Sequence, residues 1–182
     1  RFVYFLLTRN TGFSSDLSKL IAEVRREINV CDSCFRFFPQ NVAHSKSCTV
    51  CRDASREANT LMLVSHDVDF ENIEKTHSYS GYYFILGGSI PILEKNPEKR
   101  IRQNELFEII KKRKILGLSE IIVALNYNPE GEHTLSYLQS LLRPLAESLG
   151  IKISTLGRGL STGTELEYSD TDTIKNALKN RQ

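Results

Sequence analysis

The chain has 182 residues, 40% hydrophobic and 25% charged, with a formal net charge of +2. This composition describes a soluble globular protein long enough for one ordinary core and a small appended unit. No apolar run approaches the roughly 18 residues that a membrane-spanning helix needs, so no membrane association is expected. The charge is unevenly placed: residues 1–60 carry nine Lys/Arg against six Asp/Glu, and residues 61–182 carry fifteen against sixteen. The chain opens on Arg1 rather than Met, as expected of a fragment that lacks its true N-terminus.

In chain order, Phe2–Leu7 and Leu17–Val30 read as a helical hairpin. Leu17, Leu20, Ile21, Val24 and Ile28 recur at three- and four-residue steps, and Ser14 and Ser15 offer N-caps. All four cysteines come next, as Cys31-Asp-Ser-Cys34 and Cys48-Thr-Val-Cys51, with thirteen residues between the pairs. A C-x2-C turn delivers two thiolates from one knuckle, and two knuckles complete the tetrahedral shell that Zn²⁺ prefers. Two disulfides, or a C-x-x-C redox motif, are the rival readings. No secretory segment is visible and the two motifs face each other across a polar loop, which favours structural zinc. Four thiolates close the shell, leaving His44 as a loop residue, while Phe35, Phe37 and Phe38 supply apolar cover.

From Thr60 onward, short apolar runs alternate with helical stretches. Leu61–Val64, Tyr82–Leu86, Ile121–Asn126 and Ile151–Leu156 read as strands, and Phe70–Lys75, Asn104–Lys114 and His133–Leu149 as helices, the last bent at Pro144. Thr171–Leu178 reads as a final helix capped by Ser169 or Asp170. Continuous apolar strands separated by helices predict an α/β fold, a parallel sheet covered on both faces with its sites beyond the carboxyl ends of the strands. The basic cluster of Lys99, Arg100, Arg102 and Lys111–Lys114 reads as a solvated helix face, with phosphate contact as the alternative.

Three strand ends carry chemistry. Ser65-His66-Asp67-Val68-Asp69 follows the first, Asn126-Tyr127-Asn128-Pro129-Glu130-Gly131-Glu132-His133 the third, and Gly157-Arg158-Gly159-Leu160-Ser161-Thr162-Gly163 the fourth. Glu130 and Glu132 sit where a helix begins, a place that favours carboxylates without any catalytic role, although two carboxylates also suit Mg²⁺. Asp67 and Asp69 are open to the same two readings, cap or ligand. Consecutive Ser65, His66 and Asp67 point in different directions and make no triad, and His66, His77 and His133 are scattered. The glycines at 157–163 suit close backbone approach to another chain or to a phosphate, without the spacing of a dinucleotide or Walker A loop.

A strand followed by an acid-rich loop and Glu130-Gly131-Glu132 resembles the Toprim domain of topoisomerases, primases and the recombination mediator RecR. The order of features resembles the RecR family over essentially the whole chain. It runs from the helical hairpin and the two C-x2-C knuckles to Leu86-Gly87-Gly88, Asn128-Pro129 beside Glu130-Gly131-Glu132, and Arg158-Gly159-Leu160, Gly163 and Leu166-Glu167-Tyr168. The resemblance implies a remnant of a helical N-terminal region over 1–30, a Cys₄ zinc finger over 31–59, a Toprim-like α/β domain over 60–168 and a C-terminal helix over 169–182.

The departures bear on activity. A catalytic Toprim uses a glutamate after the first strand and Asp-x-Asp before Glu-Gly-Glu to hold Mg²⁺, and here Ser65, Asn126 and Asn128 fill those places. Neutral side chains do not balance the ion's charge or stabilise a phosphoryl transition state. Ser65 departs even from RecR-type chains, which usually keep that glutamate, as does Ser161 where they usually have proline. The N-terminal helix-hairpin-helix of the family is represented only by its end, with Arg1 at its basic position. The implied function is non-catalytic: a DNA-binding recombination mediator in DNA repair that helps load recombinase on single-stranded DNA. Structural zinc would be held by Cys31, Cys34, Cys48 and Cys51. Glu130, Glu132 and Arg158 would face RecO- or RecF-type partners or a neighbouring subunit, and Arg1 would face DNA. A homo-oligomer, dimer or ring tetramer, in the full-length protein and a cytoplasmic, nucleoid-associated location complete that expectation. The competing class is a Mg²⁺-dependent Toprim phosphoryl transferase, a nuclease, primase or topoisomerase-like enzyme, using Glu130, Glu132 and Asp67.

Overall fold

The computed structural model describes residues 1–40, 45–157, 169, 171 and 173–175. Two helices open the chain, α1 (Phe2–Leu7) and α2 (Thr11–Glu27). The N-cap of α2 is Asn10, whose side chain accepts the Phe13 N–H, so the helix starts ahead of the expected Ser14 and Ser15. No residue of α1 or α2 is buried. At Ile28 the backbone leaves the helix and enters β1 (Ile28–Val30), which pairs antiparallel with β2 (Phe37–Pro39). This hairpin and the short α3 (Thr49–Arg52) frame the cysteines.

The α/β unit runs β3 (Thr60–Val64), α4 (Asp67–Glu74), β4 (Tyr82–Ile85), a 3₁₀ turn (Pro97–Lys99), α5 (Gln103–Ile115), β5 (Glu120–Ala124), α6 (Pro129–Leu149) and β6 (Lys152–Thr155). The sheet is parallel throughout, in the order β4-β3-β5-β6. It has the expected fold class and the four expected strands, with ends shifted by one or two residues. The chain leaves β3 to one side, for β4, and returns to the other, for β5. The carboxyl ends of β3 and β5 therefore flank a topological switch point.

Period-two alternation divides the apolar side chains between two faces. Leu61, Leu63, Phe84, Ile121 and Val123 pack with Leu106 and Ile110 of α5 and Leu138 and Leu142 of α6. Met62, Val64, Tyr83, Ile85 and Ala124 pack with Phe70 of α4 and with Cys31, Cys34, Phe38, Cys48 and Val50. The cysteine unit thus forms part of the roof over one face of the sheet. Helix α6 begins at Pro129, four residues before the expected start, and continues through Pro144 to Leu149. Of the expected final helix, Thr171 and Thr173–Lys175 have helical backbone, and the rest lies outside the described residues.

Candidate metal centre and strand-end surface

The four cysteine Sγ atoms lie within 4.8 Å of one another, the only such group of metal-ligating side chains among the described residues. Cys31, Cys34 and Cys48 are buried and Cys51 is half-buried. A tetrahedron of thiolates about 2.3 Å from Zn²⁺ has sulfur–sulfur edges of about 3.8 Å. Cys34 Sγ and Cys48 Sγ are 3.6 Å apart, near that edge and far from the roughly 2 Å of a disulfide. All four cysteines are free, which removes the disulfide reading. The Cys48 N–H donates to Cys31 Sγ at 3.3 Å, a contact that favours a thiolate there. Hydrogen bonding with Cys34 above all holds the Cys31 thiol below the ordinary range, and the same contact pushes Cys34 above it. A cation in place of the shared protons removes that conflict, and with its all-sulfur donor set the site fits a soft divalent ion.

Local geometry sets what surrounds the site. The Cys31 N–H donates to the Arg36 carbonyl and the Phe35 N–H to the Cys31 carbonyl, closing the first knuckle. Phe35 has φ of 62°, unusual for a bulky residue, and its ring meets Phe84 edge-on at 5.4 Å. Phe38 alone of the three phenylalanines is buried beside the cysteines, and Phe37 is exposed. Two hydrogen bonds weld the unit to the sheet: Ile85 N–H to the Cys34 carbonyl at 2.9 Å, and Phe37 N–H to Asp67 Oδ1 at 2.7 Å.

The strand-end surface is assembled at the switch point. Ser65, buried after β3, accepts the Gly87 N–H through its carbonyl. Gly87 has φ of 90°, and Arg102 crosses above it, donating to the Ile85 carbonyl from Nη1. Asn128 caps α6 by accepting the Gly131 N–H at 2.7 Å. Glu130 Oε1 accepts the Ser89 hydroxyl at 2.7 Å, while Glu132 is exposed two residues along the same turn. Asp69 Oδ2 accepts the His66 N–H, and Asp67 is committed to Phe37, so both aspartates do local structural work. Glu130, Glu132 and Asp67 do not converge on a common point as a metal-holding group. His133 Nδ1 lies 3.1 Å from the Ile90 carbonyl and Thr134 Oγ1 accepts the Ile90 N–H, two contacts that residue types alone did not announce.

Arg1 is exposed at the start of α1, far along the chain from this surface. Of the glycine loop only Gly157 is described; Arg158, Ser161 and the residues through 163 lie outside the described residues, as does His44. The basic cluster does not form one patch. Arg113 is buried with its guanidinium 3.7 Å from the Tyr82 ring centroid, Arg102 is tied to β4, Arg100 pairs with Glu94 and Lys111 with Glu108. No helix among the described residues is long and apolar enough to cross a membrane.

Comparison with known proteins agrees with this architecture. The Toprim domain family matches residues 59–157, and the RecR C-terminal family matches residues 159–182. A protein named Recombination protein RecR from Dehalococcoides mccartyi is 36% identical over 182 residues, spanning 100% of this chain and 83% of its own. Proteins of the same name from Bifidobacterium longum subsp. infantis and Lactiplantibacillus plantarum are 35% and 30% identical, each over 100% of this chain and 85% and 86% of their own. With the Cys₄ cluster, the parallel sheet and full-length similarity in agreement, the chain belongs to the RecR family.

Proposed function

We propose that this chain is a non-catalytic recombination mediator that acts in recombination repair, as the name of its relatives indicates. In this reading it binds DNA and helps load recombinase on single-stranded DNA together with RecO- and RecF-type partners. The Cys₄ unit holds structural zinc, and the exposed basic residues of the front, Arg1 among them, meet phosphates without reading bases. Glu130, Glu132 and Arg158 serve a partner or a neighbouring subunit, and the full-length protein closes into a symmetric oligomer. A cytoplasmic, nucleoid-associated location accords with that work.

The observation that carries the non-catalytic reading is the chemistry of the switch point. Ser65, Asn126 and Asn128 are neutral, Asn128 is spent as the cap of α6, and Asp67 is spent on Phe37 N–H. A loose phosphoryl-transfer transition state spreads negative charge that such a site does not offset. Incubation of the chain with labelled DNA and either Mg²⁺ or Mn²⁺ is expected to leave the DNA unchanged. Metal-dependent cleavage or synthesis that Glu130→Gln abolishes would overturn the reading in favour of a Toprim phosphoryl transferase.

A further inference from the structure

The four clustered thiols are not equally sheltered. Cys31, Cys34 and Cys48 are at most 1% exposed and share a core with Phe38, Val50, Met62 and Tyr83, whereas Cys51 is half-buried. Its surroundings are open as well: α3 is a single turn, and Arg52, Asp53, Ala54 and Ser55 are all exposed. The two knuckles are also held unequally. The first is fixed by the Cys31 N–H on the Arg36 carbonyl, the Phe35 N–H on the Cys31 carbonyl, and the Ile85 N–H of the sheet on the Cys34 carbonyl at 2.9 Å. The second closes on itself, with the Arg52 N–H on the Cys48 carbonyl at 3.2 Å and the Asp53 N–H on the Val50 carbonyl at 3.4 Å.

Resting on the reading of the Cys₄ unit as a zinc site, we propose that Cys48 and Cys51 are a reversible oxidation site for hydrogen peroxide and related hydroperoxides, whose closure as a disulfide releases the metal. Access selects the first sulfur. The thiolate is the nucleophile, and Cys51 alone of the four presents one toward solvent. Its sulfur attacks one peroxide oxygen: the S–O bond forms, the O–O bond breaks, and the departing hydroxide takes a proton to become water, leaving Cys51 as a sulfenic acid. The Cys48 thiolate then attacks that sulfur, the S–S bond forms, the S–O bond breaks, and a second hydroxide leaves as water with a second proton. The two sulfurs lose two electrons and the peroxide gains them. Local geometry selects the second sulfur. All four Sγ atoms lie within 4.8 Å of one another, but Cys48 shares a helical turn with Cys51. The Cα atoms at the ends of such a turn are about 5 Å apart, within the range that a disulfide spans. A bridge to Cys31 or Cys34 would instead pull on the knuckle bonded to β4. Closure leaves two thiolates, half the set that tetrahedral zinc takes, and a thiol reductant reverses it.

The test adds hydrogen peroxide in small steps to the zinc-loaded chain, alkylates the remaining thiols with iodoacetamide in denaturant and chelator, and maps the tryptic peptides by mass. Cleavage after Arg26, Arg36, Lys46 and Arg52 separates the knuckles, placing Cys31 and Cys34 in peptide 27–36 and Cys48 and Cys51 in peptide 47–52. At the first doses, peptide 47–52 is expected without alkyl groups and short of two hydrogens, while peptide 27–36 still takes up an alkyl group on each cysteine. Zinc release, read with a metallochromic dye, should rise in step with the bridge, and dithiothreitol with added zinc should reverse both. A first bridge within 27–36, a cross-link between the two peptides, or equal loss of alkylation from both overturns the assignment. A bridge between Cys48 and Cys51 with all zinc retained overturns the coupling to metal. An untreated chain without bound zinc refutes the zinc reading and the release with it, and the peptide map still decides the oxidation site.

Discussion

Replacing Gly131 by alanine sets two physical effects of opposite sign against each other at the centre of the strand-end surface. Gly131 lies in the first turn of α6, where alanine is the better helix former by about 1 kcal/mol. Propensity alone therefore predicts a more stable protein. A Cβ built there, however, stands 2.0 Å from the Asn126 carbonyl oxygen, 3.0 Å from its carbon and 3.1 Å from Asn128 Oδ1. The first two are backbone atoms that cannot rotate away, so either the Asn126 peptide or the first turn of α6 must move by more than about 1 Å, a distortion of the overpacking kind that costs about 1–3 kcal/mol. Moving the turn also breaks the 2.7 Å cap from Asn128, worth about 1 kcal/mol. The net expectation is a loss of about 1–3 kcal/mol, or a fall in Tm of about 3–10 °C for a chain of this size. Urea unfolding at constant m-value measures it. Gly117→Ala is the control: φ of 103° strains alanine there but its Cβ meets nothing within 4 Å. Gly131→Ala with an unchanged or higher midpoint would refute the reasoning and show that the approach of Asn126 is not tight.

Chelation at neutral pH should release one equivalent of zinc per chain, read with a metallochromic dye. Near-ultraviolet dichroism of the buried aromatic residues should fall and Tm should drop, while most far-ultraviolet signal remains. Wholesale loss of the far-ultraviolet signal, with Cys34→Ser behaving likewise, would show that the finger is no separable unit. Alkaline pH provides a further check on the face beneath the finger. Burial pushes the Tyr79 phenol up to about 12 and that of Tyr83 higher as well. A folded-state pKa raised above the unfolded value gives stability that is fully present below the ordinary tyrosine value near 10 and lost as pH rises toward the folded one. Unfolding free energy should therefore decline between about pH 10 and 12, and Tyr79→Phe should shallow that decline. An equally steep decline in the variant would place the alkaline sensitivity elsewhere.

Spacing made the cysteine cluster legible, because C-x2-C is a local geometric device and two copies tend to bring four thiols together. The strands were legible because each is a short, continuous apolar run, the mark of burial on both faces. What escaped depends on longer range or on competing signals. The three-residue strands β1 and β2 carry no usable periodicity, and the hairpin they form is held between α2 and the first knuckle. The start of α6 was signalled by Asn128 as cap and Pro129 at the first helical position, but the apolar repeat that begins only after His133 drew the boundary four residues late. Phe35 and Phe37 looked like cover for the cysteines. A left-handed backbone at Phe35 turns its ring toward Phe84 instead, which no residue-level pattern expresses. The sharing of one core between finger and sheet is a tertiary fact: Phe38 and Val50 meet Tyr83 and Ile85 across more than thirty residues of chain.

The hydrogen bond from Ile85 to the Cys34 carbonyl bears on how the protein survives in the cell. β4 is an outer strand of its sheet, and the outward N–H groups of such strands are templates on which other chains can add. The first cysteine knuckle occupies that position, so the loop that carries two of the four clustered thiols is also the loop that blocks strand addition. With zinc held there as proposed, metal supply would bear on solubility as well as shape. A chain whose knuckle lacked its proposed metal would present an open, apolar-backed sheet edge to its neighbours, and aggregation on dialysis against a chelator is the expected sign of it.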